Sequence, residues 1–163
     1  MTSPALDSFI LGFAAIVTDE PPYPDTFKIS IGATTLQDVE RQLKIIDQLG
    51  VSYTGGPVLA LCEWELKVQG LRDLQLTFNS QGTVDVVLAK IERAYYPAIK
   101  DAFNRYLPLE CEIENDHGFC STRFAHEEID VALEVDSMSD LVSVTCTSAS
   151  FRQAISDAQQ RYA

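Results

Sequence analysis

The stretch CEIENDHGFCSTRFAHEEID, residues 111–130, gathers two of the chain's four cysteines, both histidines and six acidic residues. Thiolates and imidazoles at Cys111, His117, Cys120 and His126 are ligand types that suit zinc. Their intervals of five, two and five intervening residues lack the close Cys-x2-Cys or His-x3-His pairs that pre-organise a structural zinc. A calcium loop fits less well. Glu112, Glu114 and Asp116 alternate as calcium ligands do, but Gly118 falls one place late and Arg123 stands where the bidentate glutamate belongs. Cys120 and His126 offer a thiol–imidazole pair, yet a nucleophilic thiol needs positive surroundings. From Glu110 to Asp140, ten acidic residues stand against Arg123 alone, a field that raises a thiol pKa. Cys111 and Cys120 are spaced to close a small disulfide loop if the protein is exported.

Nothing else in the chain has the form of a catalytic motif: neither a Gly-x-Ser-x-Gly elbow nor a phosphate-cradling glycine loop occurs. The expectation is a protein that is not an enzyme and uses no metal or cofactor. A small zinc- or thiol-dependent enzyme built on the Cys/His cluster at 111–126 is the alternative, and an assembly or scaffold factor is a further one.

Charge gives the clearer signal. The 163-residue chain carries a net −12, and residues 110–140 hold −9 of it. Phosphate backbones need Lys and Arg, so nucleic acid is excluded as a partner. No stretch is long and apolar enough for a membrane helix, and the first basic residue is Lys28, too late for a secretory leader. The expectation is a cytoplasmic, reducing setting with free thiols, Cys62 and Cys146 in the core, and a basic protein as partner. A concentrated acidic patch speeds encounter with a cationic surface and rejects acidic competitors. The expected contact surface is Glu112, Glu114, Asp116, Glu127, Glu128 and Asp130, with Phe119 or Phe124 as apolar anchor.

The elements that must position these residues follow from periodicity. Phe9–Val17 reads as a buried first element and DEPPYPD as a stiff connector. TFKISIG alternates as a strand. Leu36, Val39, Leu43, Ile46 and Leu49 recur on one helical face, with Thr34 or Thr35 as cap and Gly50 past the end. YTGGPV reads as a turn, and CEWELKV as a half-buried strand with Trp64 inward. LQLTFNSQGTVDVV and IDVALEVDSMSDLVSVTCTS are hairpins. YPAIKDAFNRYLP and FRQAISDAQQRYA are helices, the second with Ser150 as cap. The two hairpins align without a gap, Leu74, Leu76 and Phe78 on Val131, Leu133 and Val135. One domain is expected, divisible into helix–strand–hairpin units at 27–91 and 92–150.

The first unit, residues 29–88, carries ISIGATTLQDVERQL, then CEWEL, then LQLTFNSQGTV. This succession resembles the module shared by beta-lactamase inhibitor protein and the small lipoprotein of the bacterial outer-membrane assembly machine. The resemblance implies a helical layer on an antiparallel sheet and a surface that binds another protein. Tandem modules in the inhibitor family suit the repeat. The lipidation cysteine and inhibitory loop motif have no counterpart here. The sequence thus predicts an α+β fold, an antiparallel β-sheet with helices packed mainly on one face. It also predicts an inhibitor or immunity-type role against a basic partner such as a bacterial toxin.

Overall fold

The computed structural model describes residue 29 and residues 31–62, 70–106, 109–114, 119–126 and 129–161. The expected first element, the proline-rich connector, the Trp64 strand, Asp116, His117, Glu127 and Glu128 lie outside the described residues.

The fold is α+β, with eight antiparallel strands among the described residues forming one sheet. The first half opens with helix α1 (Leu36–Gln42). The Thr35 hydroxyl accepts from the Asp38 amide and the Asp38 carboxylate accepts from the Thr35 amide, at 3.2 and 3.0 Å, so two orphan amides are satisfied reciprocally. Those bonds hold the Asp38 carboxyl below its ordinary range. Strands β1 (Ile45–Val51), β2 (Gly55–Leu61), β3 (Leu71–Asn79) and β4 (Val84–Glu92) follow. The second half repeats this order: helix α2 (Tyr96–Tyr106), then β5 (Leu109–Glu114), β6 (Cys120–His126), β7 (Ile129–Val135) and β8 (Leu141–Ser148). Helix α3 (Ala149–Arg161) closes the described chain. Strand order β1-β2-β3-β4-β8-β7-β6-β5 sets the two four-stranded meanders back to back, joined where β4 pairs with β8.

The core lies on one face of this sheet. One rung of the ladder runs Leu59, Leu76, Val87, Cys146, Val131, Phe124, and every member is buried. Val39 of α1 and Ile99 and Phe103 of α2 join the same apolar cluster, so both helices cover this face. Phe103 meets Phe124 with ring centroids 5.7 Å apart. Each such side chain removed from water contributes about 1.5–3 kcal/mol.

Several expectations are corrected. The long helix stops at Gln42, because Leu43 is already extended and the β-branched Ile45 and Ile46 that follow favour a strand. Leu36, Val39 and Leu43 still face the core, whereas Ile46 and Leu49 are exposed. Most of the expected TFKISIG strand lies outside the described residues, and its last residues, Ile31 and Gly32, form a turn with Ala33. Gly55 and Gly56 begin β2 instead of closing a turn. A Cβ on Gly56 would lie 2.2 Å from the Asn79 carbonyl oxygen, so only glycine lets β2 approach β3 there. Cys62 lies just beyond β2, half-buried. Among the described residues each half holds four strands. The cap of α3 is Ser148, not Ser150: the Ser148 hydroxyl accepts from the Phe151 amide at 3.1 Å. Both hairpins and α2 fall where periodicity put them.

Candidate protein-binding surface

The acidic stretch forms β5 and β6, which the sequence reading left unassigned, and the start of β7, already read as the first strand of the second hairpin. Its side chains divide between the two faces of the sheet. Glu112 opposes Thr122 in the β5–β6 register, on the helix-covered face, and its carboxylate pairs with Lys100 of α2. That bond raises the Lys100 pKa above its ordinary value. Asp130 opposes Ala125 and Thr147, next to the inward-facing Val131, so pleating turns it to the other face. Its carboxylate lies 2.6 Å from Arg152 of α3. In register the two acids are about 14 Å apart. Glu112 and Asp130 thus each have a cation of this chain beside them, and they do not share one surface.

Glu114 sits on β5 opposite Cys120. Phe119 precedes β6 and is half-buried. Phe124 is fully buried against Phe103, so it is a core residue and not an exposed anchor. Alternation along β6 decides this: Phe124 shares the inward parity of Thr122 and opposes Val131.

The Cys/His constellation also comes apart. Cys120 and His126 occupy the two ends of β6, about 20 Å apart along a strand, beyond the reach of a thiol–imidazole pair. Cys111 opposes Arg123 while Cys120 opposes Glu114. Three rungs, about 10 Å, separate the two cysteines, more than a disulfide spans, and the Cys120 thiol is free. Its neighbour is Tyr96 of α2, whose hydroxyl lies 3.4 Å from Cys120 Sγ. Burial, followed by that contact, raises the Tyr96 pKa. No group of three or more metal-ligating side chains occurs among the described residues. No helix among them is long and apolar enough to cross a membrane.

A different feature carries charge outward with an apolar centre: the β7–β8 turn, Asp136 to Asp140. Met138 at its tip is 91% exposed, between the exposed Asp136 and Asp140. The turn is held from inside and outside. The Met138 amide bonds Asp136 Oδ1 at 3.0 Å, the Leu141 amide bonds Ser139 Oγ at 3.1 Å, and the Ser139 amide bonds the Asp136 carbonyl at 3.0 Å. Arg93, in the short 3-10 turn Arg93–Tyr95, donates from Nη1 to the Ser137 and Asp136 carbonyls at 2.9 and 3.2 Å, and from its backbone amide to the Asp140 carbonyl at 2.8 Å. The sequence showed DSMS as a turn and both aspartates as charge. A methionine in a polar turn, with no core position to fill, was the available signal of an exposed anchor.

No family model matches the chain, and no curated protein matches it. Among solved structures it is similar to a DUF4309 family protein, YjgB, from Bacillus subtilis. Identity is 6%, 90% of this chain and 99% of the other are covered, and the TM-score is 0.45.

Proposed function

We propose that this chain is a non-enzymatic protein-binding module of inhibitor or immunity type, which occludes a basic partner such as a bacterial toxin. The observation that carries the proposal is the β7–β8 turn, where one fully presented apolar side chain stands between two carboxylates on a pre-ordered backbone. Binding hot spots pair a buried anchor with a polar rim, and a loop already ordered loses little entropy on docking. The surrounding charge excess steers cationic surfaces toward it. Two helix-then-four-strand halves in one sheet also suit the tandem-module resemblance seen in the sequence.

The test is affinity capture from the native host with the wild-type chain and with an Asp136→Lys/Met138→Ala/Asp140→Lys variant, at low and high salt. The expected result is a cationic protein held by the wild type, weakened by salt, and lost at least about tenfold in the variant. Equal capture by both chains would rule out this turn as the contact.

A further inference from the structure

Four of the six large exposed apolar side chains among the described residues lie on one edge of the sheet: Ile46, Leu49, Val51 and Tyr53, at 59, 50, 72 and 65% exposure. They belong to β1 and the turn after it. Among the described residues β1 pairs with β2 on one side and with no strand on the other. An exposed apolar edge strand offers unpaired backbone groups and apolar side chains together, a template for another strand.

The charge distribution decides what that strand is. From Ile45 to Leu61, both strands of this edge and their turn, the only charged residue is Asp47. The opposite edge hairpin, residues 109–126, carries Glu110, Glu112, Glu114 and Asp116 against Arg123. A chain of net −12 resists meeting its own copy, and most of all edge to edge at β5. At β1 that resistance vanishes. The acidic edge is seven strand spacings away, about 34 Å, and the Debye length at physiological salt is about 8 Å. A cationic partner finds only one carboxylate at β1 to steer it, whereas a second neutral apolar edge is matched there.

We infer that β1 is a homodimer interface, its apolar edge meeting β1 of a second copy about a two-fold axis near Leu49. Register shifts between Ile45 and Asp47 and between Gln48 and Gly50 interrupt the strand, so apolar side chains rather than a continuous backbone ladder carry the contact. Such closed, self-complementary contacts are the commonest form of oligomer. The acidic halves lie at the far ends of the pair.

Sedimentation equilibrium of the full chain under reducing conditions tests this. The wild type should show a reversible monomer–dimer equilibrium. Leu49→Lys and Leu49→Asp, which each set two like charges against one another at the axis, should raise the dimer Kd at least about tenfold. At concentrations well below the wild-type dimer Kd, where association does not contribute to the midpoint, both should leave the thermal midpoint of unfolding in place, because Leu49 is half exposed. A wild type that stays monomeric up to about 1 mM overturns the inference; that is the result if β1 is reserved for a strand of another protein. Dimerisation undiminished in both variants overturns it equally.

Discussion

Arg93 Nη1 lies 2.9 Å from the carbonyl oxygen of Ser137, tying the segment that joins the two halves of the chain to the tip of the last hairpin. Arg93 is exposed, so its role is to order the turn and not to fill the core. Arg93→Ala should change global stability by about 1 kcal/mol or less. Amide hydrogen exchange at Met138–Asp140 should nevertheless become faster, and affinity for the captured partner should fall. Unchanged exchange in the turn would show that its own internal bonds suffice.

Asp85 links the halves from within. A register irregularity between Thr77 and Phe78 leaves Asp85 between the rungs Phe78–Val84 and Thr77–Val86. Its buried carboxylate accepts from Thr54 Oγ1 at 2.7 Å and from Ser148 Oγ at 3.1 Å. Ser148 in turn caps α3. Asp85→Ala takes the carboxylate acceptor from two hydroxyls at once, leaving Thr54 with Ser52 and Ser148 with Ser150, and should cost about 1–3 kcal/mol, read by urea denaturation. Asp85→Asn, which keeps an accepting oxygen, should cost less.

Phe124 and Met138 should respond oppositely. Phe124→Ala opens a cavity under Phe103 and should destabilise by about 3–5 kcal/mol. Met138→Ala should leave stability within about 0.5 kcal/mol while weakening the proposed interface. Thermal and urea unfolding of the two variants check this.

Cys146 is fully buried, and burial pushes its thiol pKa up. In the native protein it should resist alkylation that reaches the half-buried Cys120. The same burial sets a pH dependence. The folded state keeps the proton that the unfolded thiol releases as pH climbs past 9.0, its ordinary value. Stability should therefore be fully present below that pH and decline above it. The raised pKa values of Tyr96 and Lys100 add to the decline at higher pH. Cys146→Ala should remove the earliest part of the slope in denaturation curves measured from pH 8 to 11.

The hairpins at Leu71–Glu92 and Ile129–Ser148 were legible because strict alternation with turn residues between admits one local solution. Helix α2 was legible from helical spacing instead, Ile99 and Phe103 falling four residues apart on one face. The Leu36–Leu49 segment was misread because a period of three to four through Leu43 runs into residues whose β-branching favours strand. Only pairing of Ile45–Val51 with β2 resolves that conflict. Strands β5 and β6 were missed because Glu112, Glu114, Ser121 and Thr122 hide the alternation that Phe124 alone cannot show.

The amino-acid sequence by itself determined the α+β class, the two hairpins and the placement of −9 of the −12 charge within residues 110–140, since these depend on neighbours a few positions apart. Tertiary structure alone decided that β4 pairs with β8 to make one sheet. It also separated Cys120 from His126, buried Phe124 while leaving Met138 exposed, and turned Glu112 and Asp130 to opposite faces. Strand register decides each of these, and register is a long-range property. A shift of one residue reverses every side chain, so which acids share a surface is fixed only when the strands pair.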